Sequence, residues 1–183
     1  RSGKILLGLK VAMAGREKLD SYDSCLAIAP DGSSVALCTG GGQKTVLRAF
    51  DVSKNRFLWQ EEDIRAFAIK YLPDSKAFFV SGGPVVSYDV YTGRKLSEMA
   101  RLKKAEVIAP AWWAASVQIV ERNYGEIDVS PDGGLLAVGV GDGAMICDMT
   151  TRKQIDRIRY QPWPAGFMCF TQDSAGIWVY DGK

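Results

Sequence analysis

A short turn phrase occurs four times in this chain of 183 residues, each time between two apolar runs. The four copies are Pro30-Asp31-Gly32, Pro73-Asp74-Ser75, Pro131-Asp132-Gly133 and Gln172-Asp173-Ser174. Successive Asp residues lie 43, 58 and 41 residues apart, and two of these steps match the length of a repeat that contains four short strands. Pro and Asp suit the early positions of a tight turn, and Gly suits its positive-φ position. Each phrase therefore predicts a hairpin loop.

The apolar residues around each phrase follow two patterns. Before the turn they alternate with other residues, which predicts a strand with one face in a core. The alternating residues are Leu26, Ile28, Ile69, Tyr71, Ile127, Val129, Met168 and Phe170. After the turn the apolar residues are continuous, which predicts a strand buried on both faces between neighbouring sheets. These runs are 35–37, 78–80, 136–138 and 177–179.

Each repeat continues with a second turn, a third strand and a polar turn before an outer strand. The second turns contain the glycine-rich segments 40–42, 82–84 and 141–143, and the third strands end in an aromatic residue or Cys followed by Asp. Four strands joined by three turns form one blade of a β-propeller. The sequence therefore predicts an all-β propeller of four-stranded antiparallel blades.

Residues 130–153 are similar to the blade consensus of the WD-repeat β-propeller superfamily, with the elements SPDG, LAVG, DG and CDMTTRK. The resemblance extends over nearly the whole chain and implies a propeller fold. The chain departs from the family in two ways: it has no His for the structural tetrad, and Trp-Asp is replaced by Phe50-Asp51, Tyr88-Asp89 and Cys147-Asp148. The resemblance is therefore to a divergent WD-like protein, and the family's internal hydrogen-bond ladder is not carried over.

The chain is interpreted as one propeller domain or a fragment of one. Three complete blades are predicted at 24–60, 64–98 and 124–158, with an insertion loop at 99–123. Residues 1–8 are predicted to be the outer strand of a preceding blade, and residues 165–183 the start of a further blade. Because closed propellers contain about four to eight blades, three alternatives are open. The chain is part of a longer propeller, or further copies of the chain complete the ring. The third alternative is that the two incomplete blades of the chain unite as a strained fourth blade.

The composition limits the classes of function. The net charge of +2 gives no reason to expect binding to nucleic acid or to a membrane. No His and no C-x-x-C spacing are present, so a metal site and the Ser-His-Asp and Cys-His mechanisms are not expected. The glycine-rich segment 139–144 leads into a strand and not a helix, so no dinucleotide cofactor is expected. A cytoplasmic location without catalytic activity is the resulting expectation.

Cys25 and Cys38 are predicted to face each other across the first hairpin, if the hairpin is centred between Asp31 and Gly32. A cross-strand disulfide is conceivable at such a position. The alternative is that the two residues are small buried side chains in a reducing compartment.

The repeated Asp residues are interpreted as turn caps and not as catalytic groups. Asp31, Asp74, Asp132 and Asp173 occupy equivalent positions in the first turns, and Asp51, Asp89 and Asp148 end the third strands. At both positions a side chain that accepts backbone N–H groups explains the residue. The turns after the first and third strands are predicted to share one face, and six basic residues lie in the polar turns there: Lys54, Arg56, Arg94, Lys95, Arg152 and Lys153. They are interpreted either as ordinary solvated turn residues or as a surface that binds an acidic partner.

Aromatic and basic residues concentrate in two connections that leave the opposite face. These residues are Arg101, Lys103, Lys104, Trp112, Trp113, Tyr160 and Trp163. Trp is frequent at the energetic centres of protein interfaces, so the group is a candidate partner-binding patch with a basic rim. The competing interpretation is that the Trp side chains fold inward and plug the gap between blades.

These observations lead to a predicted function with two alternatives. The first interpretation is a non-catalytic scaffold that binds a protein partner through the loops of one face. The chain is alternatively the propeller portion of a larger enzyme, such as a hydrolase or a kinase fusion, whose catalytic residues lie outside these 183 residues. The third interpretation is a propeller that binds a small ligand or sugar by stacking on aromatic side chains.

Overall fold

The computed structural model describes residues 25–41, 44–64, 66–82, 84–99, 126–140, 143–159 and 167–180, and these residues contain strands and turns without helices. Fourteen strands are present in the described part of the chain: β1 (Cys25–Ile28), β2 (Ser34–Gly41), β3 (Lys44–Asp51), β4 (Arg56–Glu62), β5 (Ala68–Tyr71), β6 (Ala77–Ser81), β7 (Val85–Asp89), β8 (Lys95–Met99), β9 (Ile127–Val129), β10 (Leu135–Val140), β11 (Gly143–Asp148), β12 (Lys153–Arg159), β13 (Phe167–Phe170) and β14 (Ile177–Tyr180). The predicted outer strand at 1–8 and the insertion at 99–123 lie outside the described residues, apart from Met99, which ends β8.

The strands form four antiparallel sheets, which we number 1 to 4 in chain order. Sheets 1, 2 and 3 have four strands each in simple sequential order, and sheet 4 has two described strands, β13 and β14. The first strand of each sheet contacts the first strand of the next, so β1, β5, β9 and β13 form an inner row. This arrangement of blade-like sheets is propeller-like, and the strands that the structure describes do not close a ring.

The four Pro-Asp and Gln-Asp phrases form the turns that the sequence predicts. The residue after each Asp has a positive φ: 74° at Gly32 and Gly133, 62° at Ser75 and 60° at Ser174. The second turn of sheet 1 is shorter than predicted, because Gly40 and Gly41 pair with Thr45 and Lys44 and belong to β2. Only two residues then connect β2 to β3, the length of a common hairpin loop.

A β-bulge occurs at the same place in each of the three four-stranded sheets. The register between the third and fourth strands shifts at Ala49/Phe50, at Ser87/Tyr88 and at Ile146/Cys147. Each shift immediately precedes the Asp that ends the third strand. A bulge increases the local twist of a strand. In each of these three sheets the fourth strand is therefore expected to twist relative to the third strand in the same way.

Each sheet has one face directed at the sheet before it in the chain, here called the preceding face, and one directed at the next sheet, the following face. Ile69 and Tyr71 on the preceding face of sheet 2 pack in one core with Ala36 and Cys38 of sheet 1. The same positions of sheets 3 and 4 are filled by four further residues that pack against the sheet before: Ile127, Val129, Met168 and Phe170. The alternating residues of three sheets are therefore the interfaces between sheets, as predicted.

The prediction of burial was wrong at the two ends of the row. Leu26 and Ile28 occupy the same register on sheet 1, yet they are 60% and 63% exposed. Trp178 lies in the run predicted to be buried on both faces, yet it is 71% exposed. These residues have the expected positions in their strands, but no described sheet packs against the face on which they lie. Val35 and Leu37, which lie opposite Ile28 and Leu26 in the β1–β2 ladder, are nevertheless only 4% and 3% exposed. The register on one strand therefore does not by itself decide which residues of this face are buried.

The register predicted for the two cysteines of the first hairpin was confirmed. Cys25 is directly opposite Cys38 in the β1–β2 ladder. Both side chains are thiols without a disulfide, and each donates to a carbonyl of the segment that enters sheet 2: Cys25 to Ala66 at 3.6 Å and Cys38 to Ile64 at 3.7 Å. The structure therefore agrees with two small side chains packed at the junction of sheets 1 and 2.

Candidate functional site

The seven residues of the predicted partner-binding patch lie outside the described residues. They are Arg101, Lys103, Lys104, Trp112, Trp113, Tyr160 and Trp163. The described strands nevertheless fix the face from which their connections leave. β8 ends at Met99 and β12 ends at Arg159, and both ends lie on the same face as the end of β4, because every sheet has the same antiparallel order. We call this the connection face. The turns that contain the repeated Asp residues lie on the opposite face.

A groove of about 380 Å³ is lined by sheet 2 and by Asp63 and Ile64 of the segment that enters it, and it reaches the connection face. Its apolar floor is formed by Ile64, Val80 and Val86. Asp63 and Glu98 add carboxylates to the lining. A concave site with an apolar floor and a few polar groups has the form of common ligand and side-chain binding sites.

Lys95 is the basic residue that lines the groove, and its ammonium group is held in place by neighbours. Its Nζ lies 2.9 Å from Oε1 of Glu61 on sheet 1 and 5.8 Å from the ring centroid of Tyr88. The hydrogen bond to Glu61, together with Tyr88, raises the pKa of Lys95, so the group stays charged. Burial raises the pKa of Tyr88. Lys95 of sheet 2 thus forms an ion pair with Glu61 of sheet 1. Asp63 and Glu98 give the rest of the groove lining a negative character.

A second polar cluster, which the sequence analysis missed, lies on the inner row of strands. Oδ1 of the buried Asp128 on β9 is 2.6 Å from Nζ of Lys70 on β5, and Oδ2 accepts the backbone N–H of Phe170 on β13 at 2.7 Å. One carboxylate therefore connects the inner strands of sheets 2, 3 and 4. Its neighbour Glu126 has a raised pKa, mainly because of its partial burial and secondly because of the charge of Asp128.

The residue types around Asp128 limit the chemistry of this cluster. Both oxygens of Asp128 are already bonded, and the two carboxylates and one amine do not form a metal site. Within the described residues no group of three or more Cys, Asp or Glu is placed to hold a metal ion, and the chain has no His. The alternation of β9 indicated Ile127 and Val129 but gave no sign of Asp128, because the three partners come from three different repeats.

The interpretation of the first Asp series as turn caps was confirmed. Oδ1 of each carboxylate accepts the backbone N–H two residues later, at 2.9 to 3.1 Å: Ser33, Lys76, Gly134 and Ala175 donate to Asp31, Asp74, Asp132 and Asp173 respectively. In two turns the capped loop also contacts the next sheet, because Asp31 N–H donates to Ser75 Oγ and Asp132 N–H donates to Ser174 Oγ, both at 3.2 Å.

The second Asp series caps the polar turns in the same manner. Asp51 accepts Lys54 N–H, Asp89 accepts Thr92 N–H and Asp148 accepts Thr151 N–H, at 2.9, 2.8 and 2.6 Å. The residue four positions after each Asp has a positive φ, namely Asn55, Gly93 and Arg152. The turn is therefore built alike in the three four-stranded sheets, although the family's Trp is absent before the Asp.

Hydrogen bonding lowers the pKa of most of these carboxyl groups below its ordinary value. The main donors are the backbone N–H of Ser33 for Asp31 and the hydroxyl groups of Ser130 and Thr171 for Asp132 and Asp173. In the second series the main donors are the hydroxyls of Ser53 and Thr92 and the backbone N–H of Thr151; they lower the pKa of Asp51, Asp89 and Asp148. Groups that remain ionised and already accept several hydrogen bonds are suited to hold turns.

Six basic residues were predicted on the turn face, the face opposite the connection face that carries the Asp-capped turns. Two of them are paired with carboxylates. Lys54 lies 3.2 Å from Asp51, three residues earlier, and Lys95 lies 2.9 Å from Glu61. Such partly exposed pairs contribute little to stability. They also reduce the positive charge that the turn face offers to an acidic partner.

Comparisons with known proteins concern the fold alone. No family model matches the sequence, and the comparison with curated proteins gives no match. Among solved structures the chain is similar to Kuenenia stuttgartiensis hydrazine synthase, with 14% sequence identity and a TM-score of 0.64. The similar region covers 93% of this chain and 45% of that chain, so this chain spans less than half of its length. The part of the chain that the structure describes contains no helix of the length and apolar character needed to cross a bilayer.

Proposed function

We propose that this chain is a non-catalytic, WD-like propeller scaffold that binds a protein partner on its connection face. The observation that carries the proposal is the position of the groove on sheet 2. It lies on the same face from which the two Trp-bearing connections leave. Aromatic anchors beside a concave site with polar groups are typical of the energetic centre of a protein interface.

The charges of the groove indicate the chemistry of the partner segment. Asp63 and Glu98 are the acidic lining residues, and the positive charge of Lys95 is compensated by Glu61. The apolar floor formed by Ile64, Val80 and Val86 accepts the aliphatic part of a long side chain. A Lys or Arg side chain of the partner meets both conditions, because its stem is apolar and its head is cationic.

The test compares three variants of the chain as bait for partners. The double substitution Trp112→Ala and Trp113→Ala removes the proposed anchors, and Glu98→Lys reverses one charge of the groove. Tyr91→Ala is the matched control, because this aromatic residue is 52% exposed and lies in a polar turn on the face opposite the groove. We expect a partner that binds the wild type and the control to bind the first two variants at least about tenfold more weakly.

Thermal unfolding of the same variants separates the two interpretations of the Trp residues. If they form a binding patch, the double substitution leaves the melting temperature nearly unchanged. A fall of several degrees, with binding lost as a consequence of unfolding, contradicts the proposal and identifies Trp112 and Trp113 as plugs. Equal binding by all three variants also contradicts it.

The propeller portion of a larger enzyme is the second candidate function. The observation that favours it is the similarity in fold to a chain whose description names a synthase, of which this chain covers 45%. In that case the catalytic residues lie outside this chain, so the isolated chain is expected to be inactive toward generic ester and peptide substrates. Turnover by the isolated chain, abolished by substitution of Glu126, contradicts both proposals.

A further inference from the structure

Two cysteines face each other inside the core that joins sheets 1 and 2. Cys25 on β1 is paired with Cys38 on β2, and both side chains lie on the face of sheet 1 that packs on sheet 2. Cys38 is fully buried, whereas Cys25 is partly exposed. The pair therefore has one side chain that is open to solvent and one that is enclosed in the core.

The hydrogen bonds of the first hairpin fix the separation of the two cysteines. Ala29 N–H donates to Ser34 O at 2.9 Å, so these opposite residues form a hydrogen-bonded pair. Hydrogen-bonded and non-hydrogen-bonded pairs alternate along an antiparallel ladder, and Cys25 and Cys38 stand four residues further along each strand, so they are a hydrogen-bonded pair too. The Cα atoms of such a pair lie about 5.5 Å apart, within the range of about 4.4–6.8 Å found in disulfides. The backbone therefore permits a bond between the two sulfur atoms.

The same pairing makes such a bond strained. Opposite Cβ atoms in a sheet lie about 4.5–5.5 Å apart, and hydrogen-bonded pairs have the larger separations. In a disulfide the Cβ atoms lie about 3.5–4.5 Å apart. A bond here would draw β1 and β2 together, and a strained disulfide is reduced more easily than a relaxed one. The position therefore favours a bond that forms and opens over one that permanently staples the hairpin.

In the reduced chain both thiols hold the segment that enters sheet 2. Cys25 Sγ donates to Ala66 O at 3.6 Å, and Cys38 Sγ donates to Ile64 O at 3.7 Å. A disulfide sulfur has no hydrogen to donate, so oxidation would remove both contacts. The hydroxyl of Thr45 also donates to Ile64 O and would keep that carbonyl in place. The release of the segment is therefore expected to be greatest at Ala66.

We propose that Cys25 and Cys38 are a redox site, which small disulfide compounds such as oxidised glutathione convert into a reversible disulfide. The thiolate of the partly exposed Cys25 attacks one sulfur of the oxidant and displaces one thiol. The thiolate of Cys38 then attacks Sγ of Cys25 and displaces the second thiol. The two cysteines lose two protons and two electrons, and the oxidant takes them up as it becomes two thiols.

The redox site is connected to the groove through the segment that enters sheet 2. Ile64, whose carbonyl accepts the thiol of Cys38, lines the groove. Oxidation therefore loosens one wall of the groove while the strands of sheet 2 keep their pairing. The formation of the bond does not depend on the proposed function, and it is measured without a partner.

The test is a titration of the intact chain in buffers with different ratios of oxidised to reduced glutathione. Alkylation followed by mass spectrometry of peptides counts the thiols and identifies linked pairs. In excess oxidised glutathione we expect a linked Cys25–Cys38 peptide that has lost two hydrogen atoms, and reduced glutathione should open it without denaturant. Phe67 N–H donates to Ser81 O directly after Ala66. Hydrogen exchange of this amide is expected to be about threefold to tenfold faster in the oxidised chain.

Three variants separate the steps. Cys25→Ser removes the attacking thiol, so no linked peptide and no effect of the buffer on the exchange of Phe67 are expected. Cys38→Ala is expected to keep one glutathione on Cys25, because the thiol that displaces it is missing. Cys169→Ser is the matched control, since this exposed cysteine lies on sheet 4, and it should behave like the wild type. Circular dichroism verifies that the variants keep their strands.

Three outcomes overturn the inference. A wild type that keeps both thiols at the highest proportion of oxidised glutathione shows that the pair does not close in the folded chain. A bond that opens only after unfolding in denaturant is a permanent staple and not a reversible site. Equal exchange of the Phe67 amide in the reduced and oxidised chains shows that the bond does not act on the segment that enters sheet 2.

Discussion

The junction of sheets 1 and 2 and the junction of sheets 3 and 4 are built from equivalent repeat positions by different means. At the first, Trp59, Phe78 and Tyr88 stack with ring centroids 5.9 to 6.0 Å apart, and Tyr71 packs beside Phe78 at 5.3 Å. Trp59 Nε1–H also donates to Val90 O at 2.7 Å. This junction is an aromatic core with its polar groups satisfied at the edge.

At the second junction the buried residues are smaller and a charge takes part. Ala137, Ala144, Ile146 and Met168 form the core. The inner edge is closed by the backbone N–H of Phe170, which donates to the carboxylate of Asp128. The contact between two neighbouring sheets can therefore be stabilised either by buried apolar area or by a directed polar contact. The repeat specifies where sheets meet, and individual residues specify how strongly.

Truncation of the aromatic core is expected to have the largest effect. Phe78 is fully buried, so Phe78→Ala is expected to lower the free energy of unfolding by about 3–5 kcal/mol, since a cavity remains among three rings. Met168→Ala is the matched change at the junction of sheets 3 and 4, and about 2–3 kcal/mol is expected there. Urea titrations measure both values. An equal or larger loss for Met168→Ala would contradict the difference between the two junctions.

Removal of the Asp128 carboxylate tests the polar junction. Asp128→Ala leaves the N–H of Phe170 without its acceptor and separates Lys70 from its partner, which is expected to cost about 2 kcal/mol. Hydrogen exchange is expected to accelerate in β13 and β14 and to change little in sheet 1. The control is Asp156→Ala on β12, an exposed position where about 0.5 kcal/mol or less is expected. Uniform acceleration throughout the chain would show that Asp128 does not act locally.

Gly93 gives a smaller effect with a well-matched control. Its φ is +70°, and a Cβ there would lie 2.7 Å from Cδ2 of Trp59. Gly32 has a φ of +74° and nothing within 4 Å of its Cβ position. Gly32→Ala is expected to cost about 1 kcal/mol for backbone strain alone, and Gly93→Ala about 1–2 kcal/mol more because Trp59 must move. The excess should vanish when Trp59 is replaced by Leu; an excess that persists would locate the conflict elsewhere.

Acid is expected to weaken the turns capped by Asp31 and Asp132. The pKa of Asp31 and of Asp132 is lower in the folded chain than the ordinary value of about 3.9 in the unfolded chain. Their contribution to stability is therefore complete above that value and is lost as the pH falls through the lower folded pKa. Urea midpoints measured from pH 6 to about pH 2.5 should fall most below pH 4. Asp31→Asn and Asp132→Asn should each make that fall shallower, and an unchanged profile would contradict the role of the caps.

Features set within one hairpin were predicted well from the sequence. The phrases gave the position of the turns and the positive φ at Gly32 and Gly133, and the symmetry of one hairpin placed Cys25 opposite Cys38. The hydrogen bonds to the repeated Asp residues followed from the same local reasoning, because donor and acceptor lie two or three residues apart. Such features depend on short segments of chain and need no knowledge of the neighbouring sheets.

Features that depend on a neighbouring repeat were not predictable in the same way. Leu26 and Ile28 have the same pattern as Ile127 and Val129, so no property of their strand distinguishes an exposed pair from a buried one. The contact of Asp128 with Lys70 and Phe170 joins residues 42 to 58 positions apart. Of the candidate site, the sequence indicated the connection face but not the groove, because its lining combines the segment that enters sheet 2 with three strands of that sheet. The seven predicted binding residues lie outside the described part of the chain and stay predictions.

The pairing of Trp59 with Gly93 has a consequence for the order of the repeats. At the position of Gly93 the other two polar turns carry Asn55 and Arg152, and at the position of Trp59 the other outer strands carry Ser97 and Asp156. Exchanging sheet 2 with sheet 3 would therefore place a side chain where the indole ring now lies. Sheets 1 and 2 are thus matched to each other by a reciprocal pair, a large ring on one and a glycine on the other. The order of these repeats is part of what the sequence encodes, and duplication or shuffling of single units would disturb it.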